Sequence, residues 1–544
     1  MLPSGKQYEV GGAPAGADYR RTIFKVLQEA TEHVPDRTAL VQVERGIRMT
    51  YRDLYQKVAH FAAGLKTLGL EPGDKLVVCL PNWPEFVITL YAAARAGIVV
   101  VPVNPRLRQG EIEFIVQNSG ARAAVVTDKK SESTGMYDIF CSVQTSTPGL
   151  EHLIAVDPGE ISARPHSFER MLALGAAAGE VPPAMVQSND LAAIVYTSGT
   201  TGVPKGARLR HQNLLFSGDA MNQALENSER DVILIVVPVC HVFGLAVCIM
   251  SGGTQSTAVL MERFSPEAVF QTVERERVTV HHGVSTMFVL ELNHPDRRKY
   301  DLSSLRTGIV AATPCPYEIV ERIRTELGLS PILSYGMTET SPALTASHFE
   351  NEAWVYQTVG RVLPGVTLRV VNELGDPVPY GDVGELVCQT PGLMESYHEN
   401  ETATRRAIDE RGWFHTGDLA TLNEDGYVTI VGRIKEMINR GGLKIYPREV
   451  EERLYEHPAI QEVAVVGVPD PVLGERSCAC ITLKPGGSIT PEEARAYCRE
   501  HLADYKVPDF VEVMEDLPLN SSGKIYKLQL GEMMRERHPP VYHA

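Results

Sequence analysis

The run Tyr196-Thr-Ser-Gly-Thr-Thr-Gly-Val-Pro-Lys-Gly206 gathers hydroxyls, glycines and a cation behind a short apolar segment, Ala192 to Tyr196. Gly199 and Gly202 let backbone amides approach an anion closely. Thr197, Ser198, Thr200 and Thr201 add hydroxyl donors, and Lys205 brings a charge that reaches a terminal phosphate. Lys205 is followed by Gly206, where the commoner phosphate loop of kinases and GTPases has the Ser or Thr that ligates magnesium, so that chemistry does not fit. A flexible Gly/Thr linker would need neither the preceding strand nor the closing lysine. The ligand to expect is a nucleoside triphosphate.

Further groups follow in order. Tyr335-Gly-Met-Thr-Glu339 comes after an apolar strand; alone it reads equally well as a turn into a capped helix or as a place for a hard carboxylate. Trp413-Phe-His-Thr-Gly-Asp418 reads as a tight turn ending in an acid, a geometry in which a carboxylate accepts both hydroxyls of a ribose. The charged run Gly432 to Pro447 is by composition a solvated linker, and Lys524 sits on a glycine-bearing loop, Asn520-Ser-Ser-Gly-Lys.

Taken jointly from Thr197 to Lys524, these motifs resemble those of the acyl-adenylate-forming superfamily, which contains acyl-CoA synthetases, luciferases and carrier-loading adenylation domains. The resemblance implies that Tyr335 flanks adenine, with Ala312 and Gly336 also among the nucleotide contacts. It implies that Thr338 touches the α-phosphate, Glu339 ligates Mg2+, and Asp418 and Arg433 hold the ribose. Lys435 would be a hinge residue, Gly441 and Gly442 would let backbone approach the pantetheine arm of CoA, and Lys524 would bridge carboxylate and α-phosphate oxygens.

By the same resemblance an acyl pocket is lined by His241, Val242, Phe243, His282, Gly283, the run Gly308 to Ala312, Gly336 and Met337. Val242 stands where amino-acid-activating relatives place an Asp, so an α-ammonium group would be buried unpaired and the acid should have a neutral tail. Strand alternation would turn one of His281 and His282 toward the pocket and its neighbour away. Ala312-Thr-Pro-Cys-Pro316 and Tyr335 to Pro342 look like medium-chain acyl-CoA synthetases. Ile438 to Lys444 and Gly474 to Cys478 look like aryl-acid adenylating enzymes, which leaves the shape of the acid open.

The implied chemistry brings two anions together, a carboxylate and the α-phosphate of ATP, so positive charge and in-line positioning are what the protein must supply. The expected product is an acyl-AMP, with pyrophosphate released, followed by transfer to CoA. Alternatives are transfer to a carrier protein or an amine in trans, a luciferase-like oxygenase, and a nucleotide-binding protein without turnover.

Elements that must position these residues alternate between strand and helix. Lys75 to Leu80, Val99 to Pro102, Ala121 to Thr127, Ala192 to Tyr196, Val278 to His282 and Thr307 to Ala312 read as short buried strands, and Pro84 to Ala96 as a helix opened by proline. Helical intervals between them imply an α/β fold with mostly parallel sheets covered on both faces. Shorter strands with close turns follow Ser341, and a small α+β pattern begins at Pro447, including the capping box Thr490-Pro-Glu-Glu493. The expected division is an N-terminal domain 1–432 with a β-rich part at about 346–432, a hinge near 433–436 and a mobile C-terminal domain 436–544.

With 544 residues the chain has room for several cores, and a net charge of -16 argues against a nucleic-acid partner. The nine cysteines lack CxxC pairs and read as reduced, largely buried thiols of a cytoplasmic protein. Met1 to Arg21 shows no secretory pattern. Val232 to Met250 is apolar enough to raise the question of a membrane span, but Pro238 and His241 break it into a strand, a loop and a core helix. Oligomeric state is left open, a homodimer among the options.

Overall fold

The computed structural model describes residues 9–11, 21–127, 135–156, 166–179, 181–197, 204–313, 315–349, 352–519 and 524–539. By contact the chain divides into two compact units, one of Gly11–Thr367 and Gln389–Phe414, the other of Met1–Val10, Leu368–Cys388 and His415–Ala544.

The larger unit holds two sheets. In the first, of six strands, the order is His152–Val156, Ala123–Thr127, Lys75–Cys79, Val99–Pro102, Leu191–Thr197 and Lys205–Arg210. All its pairings are parallel except the last, which is antiparallel. The second, of nine strands, has a parallel centre in which Ser330–Tyr335, Thr307–Val310, Val280–His281, Val232–Ile235, Thr257–Leu260 and Thr38–Gln42 lie side by side. Val77, Val101, Ala124 and Ile194 are buried in one sheet and Leu234, Val259, Val310 and Leu333 in the other, the continuous apolar pattern of strands covered on both faces.

Helix Pro84–Ala96 is buried along its whole length and touches strands of both sheets. Pro84 needs no amide partner in the first turn, and Gly97, at φ 73°, ends the helix with its amide donating to Ala93. Just before this helix Asn82 joins the sheets: its Nδ2 donates to the carbonyls of Ile235 (3.2 Å) and Val237 (3.1 Å), and its Oδ1 accepts from the Val239 amide (2.9 Å).

The apolar stretch 232–250 resolves into strand Val232–Ile235, a turn through Pro238 and helix Val242–Gly253. No helix among the described residues is long and apolar enough to cross a membrane. Two expected strands are shorter than their sequences suggest. Only Val280–His281 of 278–282 is strand, because the His282 side chain takes the Ile309 amide (3.1 Å) in place of a backbone carbonyl. The strand beginning at Thr307 stops at Val310, since Ala312 adopts φ 70°, a left-handed conformation that a strand excludes.

In the second unit a five-stranded sheet carries Glu9–Gly11, Thr367–Val371, Gly384–Gln389, Phe414–Leu422 and Val428–Arg433, in that order. The C-terminal part follows its expected helix and strand order. Ile460–Asp470 pairs antiparallel with Gly474–Leu483, and Phe510–Val513 runs parallel to the latter. Alternation divides that sheet's side chains between two cores, with Val465 and Ile481 packing against Val450, Leu454 and Cys498, and Val466, Cys478 and Cys480 against Leu530 and Met534. Residues 433–436 lie inside this second unit.

Candidate active site

In the larger unit Leu191–Thr197 and Lys205–Arg210 form an antiparallel pair that puts Thr197 directly opposite Lys205. The expected phosphate contacts Ser198, Gly199, Thr200, Thr201 and Gly202 lie outside the described residues. Lys205 itself begins a strand, so its backbone is fixed by the ladder. Gly206 is required beside it: a Cβ there would come within 2.7 Å of Ile194 Cγ2 and 3.0 Å of the Tyr196 ring.

On its other side this strand meets residues 395–398. His398 donates its amide to Gly206 (2.7 Å), the Arg208 amide donates to Ser396 (3.0 Å), and Glu395 pairs with both Arg208 (2.7 Å) and Arg210 (2.9 Å). This arrangement fixes Tyr397 between two of the expected site residues. Lys205 Nζ lies 4.9 Å from the centre of the Tyr397 ring, and Tyr397 Oη donates to Glu339 Oε1 at 2.6 Å. Burial, the Glu339 charge and that hydrogen bond all push the Tyr397 hydroxyl well above its ordinary pKa, so it stays a donor.

Glu339 is placed by strand Ser330–Tyr335 and the single turn Thr338–Thr340, with the Met337 amide donating to Thr340 Oγ1 (3.1 Å). Its carbonyl accepts from Met394 (2.8 Å). Gly336 cannot carry a side chain, because a Cβ would sit 1.7 Å from the Pro342 carbonyl oxygen. The fold thus brings Lys205 and Glu339 to one side chain, Tyr397, with Thr338 next to Glu339 in the same turn. Tyr397 was not identifiable in the sequence, where it is one tyrosine in a polar stretch.

Several of the expected acyl-pocket residues lie against one another. His241 precedes helix Val242–Gly253, whose first turn is held close to the preceding loop: a Cβ on Gly244 would lie 2.3 Å from the Pro238 carbonyl oxygen. Val242 and Phe243 are buried in that turn. The Phe243 and His282 rings stand edge to face with centres 6.1 Å apart, and Gly283 bridges to Val310. Gly308 passes so near His281 that a Cβ would meet its carbonyl oxygen at 1.7 Å. The two histidines have different partners: His281 Nε2 meets Glu291 Oε1 at 2.9 Å, both side chains fully buried, and His282 Nδ1 accepts the Ile309 amide.

In the second unit Asp418 is an interior residue of strand Phe414–Leu422. The expected tight turn before it is instead a strand bent at Gly417 (φ 72°), whose amide donates to Glu385 Oε1 at 3.0 Å. Asp418 pairs across the ladder with Arg433, Nε to Oδ1 3.1 Å, the carboxylate buried and the guanidinium half exposed. Lys524 is half-buried within electrostatic reach of both. Burial lowers its pKa, Arg433 lowers it further and Asp418 opposes the shift.

Lys435 falls in the short turn Ile434–Glu436, and the neighbouring Glu436 is held by Lys527 (2.8 Å), which also pairs with Glu451 (2.9 Å). Gly441 and Gly442 form the tip of a hairpin at φ 60° and 89°, the first donating its amide to Leu473 (2.7 Å) and the second to Asn439 Oδ1 (3.0 Å).

Among the described residues no cluster of three or more His, Cys, Asp or Glu side chains could cage a metal ion. Glu339 offers one hard carboxylate, a donor type that would suit Mg2+ shared with water and substrate phosphates.

The family described as AMP-binding enzyme matches residues 27–398, and the AMP-binding enzyme C-terminal domain matches residues 449–524. The chain belongs to this family of adenylate-forming enzymes. It is 37% identical over 532 residues to YngI of Bacillus subtilis (strain 168), covering 94% of this chain and 96% of that one. It is 34% identical over 551 residues to the mitochondrial medium-chain acyl-CoA ligase of Homo sapiens, covering 95% and 88%. The fold is similar to that of ATP-bound MatB from Rhodopseudomonas palustris, with a TM-score of 0.86 at 26% identity over 95% of this chain and 100% of that one.

Proposed function

We propose that the chain joins a neutral-tailed carboxylic acid to AMP at the expense of ATP, releasing pyrophosphate, and then transfers the acyl group to CoA. The observation that carries the reading is the Lys205–Tyr397–Glu339 arrangement, in which a cation and a hard carboxylate are held within one side chain of each other beside the expected phosphate segment. Lys205 neutralises terminal phosphate charge, and the hydroxyl of Thr338 donates to the α-phosphate. Mg2+ held through Glu339 would screen the triphosphate and favour departure of pyrophosphate.

Asp418 accepts the ribose hydroxyls and Arg433 steadies that carboxylate and the sugar. The Lys524 ammonium bridges the attacking carboxylate and the α-phosphate, cancelling the repulsion that dominates the barrier. Thr197, Ser198, Gly199, Thr200, Thr201 and Gly202 wrap the phosphates, while Tyr335, Gly336 and Ala312 face the base. The acid tail lies along His241, Val242, Phe243, His282, Gly283, Gly308 and Met337. Rotation at Lys435 exchanges Lys524 for the Gly441–Gly442 hairpin, whose side-chain-free tip admits the pantetheine arm. We place the reaction in the cytoplasm, where the nine free thiols suit a reducing environment.

The test is acid-dependent release of pyrophosphate from ATP across a panel of carboxylic acids, followed by mass analysis of products formed with CoA, an amine or a carrier protein. Release with thioester formation on CoA supports the proposal. Amide or carrier-bound product would move the acceptor, and absence of release with every acid would overturn adenylation itself.

A further inference from the structure

His282 carries a hydrogen-bond donor that the fold leaves without a use. Its side chain is fully buried, its Nδ1 accepts the Ile309 amide at 3.1 Å, and its Nε2 has no hydrogen-bond partner. Since Nδ1 is the acceptor, the ring proton of the neutral imidazole is on Nε2. Burial first, then the charges of His281 and Arg306, push this histidine down to about 3, so the ring is neutral at working pH. A buried N–H with no acceptor is disfavoured, and such groups are retained where a ligand completes them. Nδ1 is spent on the strand bearing Ile309, which directs the opposite edge of the ring away from that strand. Phe243, at the first turn of helix Val242–Gly253, flanks the ring. The neutral ring of the adjacent His281 presents no such donor: its Nε2 is engaged by Glu291, which leaves its unpartnered Nδ1 as an acceptor.

We propose that the Nε2–H of His282 selects acids whose tail bears a neutral oxygen acceptor, a ketone or ether, at the depth where this ring meets the pocket. The inference rests on the acyl-pocket reading above and narrows it. A plain hydrocarbon tail leaves the donor unpaired, whereas a distal carboxylate would bring a buried charge opposite a neutral ring. A site with a built-in donor rejects the analogue lacking the acceptor more strongly than a purely apolar wall could.

Two series test this: octanoic acid against its mono-oxo derivatives, and cinnamic acid against its ring-methoxy derivatives, each read as kcat/KM for acid-dependent pyrophosphate release. In the full-length protein one oxygenated acid of the series should exceed its parent by about tenfold. His282→Phe should bring that ratio to about one. His282→Gln, which keeps a donor and an acceptor, should retain part of it. Because the ratio is taken within each variant, a general loss of activity cancels, and far-UV circular dichroism with ATP-binding heat confirms that each variant is folded. Ratios near one throughout the wild-type series, or an unchanged ratio in His282→Phe, would overturn the inference while leaving adenylation intact. No release with any acid would instead count against the functional reading beneath it.

Discussion

Replacing Tyr397 by Phe removes one oxygen and keeps the ring, so it separates the two contacts this side chain makes. The lost contact is a 2.6 Å hydrogen bond donated to a carboxylate that is 9% exposed. Hydrogen bonds to charged groups contribute about 1.5–3 kcal/mol, which corresponds to about 10- to 150-fold in a rate if the bond fixes Glu339 in its working orientation. The Lys205 contact with the ring face, about 0.5–2 kcal/mol in partly buried settings, survives in Phe and is lost in Leu. Single-turnover acyl-AMP formation at saturating ATP should therefore fall about 10- to 100-fold in Tyr397→Phe and by a further few-fold in Tyr397→Leu. Combined with Lys205→Met, the Phe variant should be additive and the Leu variant less than additive. Manganese binding measured by electron paramagnetic resonance gives a second readout, with a weaker site expected in Tyr397→Phe. If Tyr397→Phe kept within about twofold of the parental rate and bound manganese as before, the orienting role would be refuted.

Other expectations follow from the remaining contacts. Lys524→Ala should suppress acyl-AMP formation far more than thioester formation from supplied acyl-AMP, and equal losses in both half-reactions would remove the residue from its assigned step. In the role proposed for Lys524 its charged form is the working one, and its pKa is already lowered by burial and then Arg433, so Arg433→Met should move the alkaline limb of the adenylation profile upward. Asp418→Asn, which deletes the opposing influence, should move it downward; limbs that stay in place would disconnect Lys524 from that pair. Asn82→Ala strips two donated bonds and leaves the Val239 amide unpaired, so equilibrium denaturation should report a loss of about 2–4 kcal/mol. A change below about 0.5 kcal/mol would show that the inter-sheet tie is replaceable.

Much of this fold could be read from local signals. Pro84 and Gly97 bracket a helix whose ends coincide with those expected, and the runs Lys75–Cys79 and Val99–Pro102 fall where their valines place them. Readings failed where a side chain intervened in the backbone pattern. His282 displaces a ladder bond and shortens its strand, and the glycine before Asp418 suggested a turn although the strand accommodates it as a bend. The roles proposed for Lys205, Glu339, Asp418 and Lys524 come from motif order. Tyr397 was not legible there, because it acts on Glu339 from 58 positions away and its neighbours Ser396 and His398 give no local hint. Likewise nothing in the order His281-His282 says which ring is engaged by a carboxylate; Glu291, ten positions on, decides that.

The pairing of Asp418 with Arg433 before any nucleotide arrives has an energetic consequence. In the ribose-binding role proposed for Asp418, a sugar diol would not have to strip water from a bare anion; it would exchange places with, or join, a guanidinium already there. Capture of the nucleoside half should then be insensitive to ionic strength compared with capture of the triphosphate. Adenosine and ATP, titrated across a salt series, would consequently diverge in affinity, the one nearly flat and the other steep.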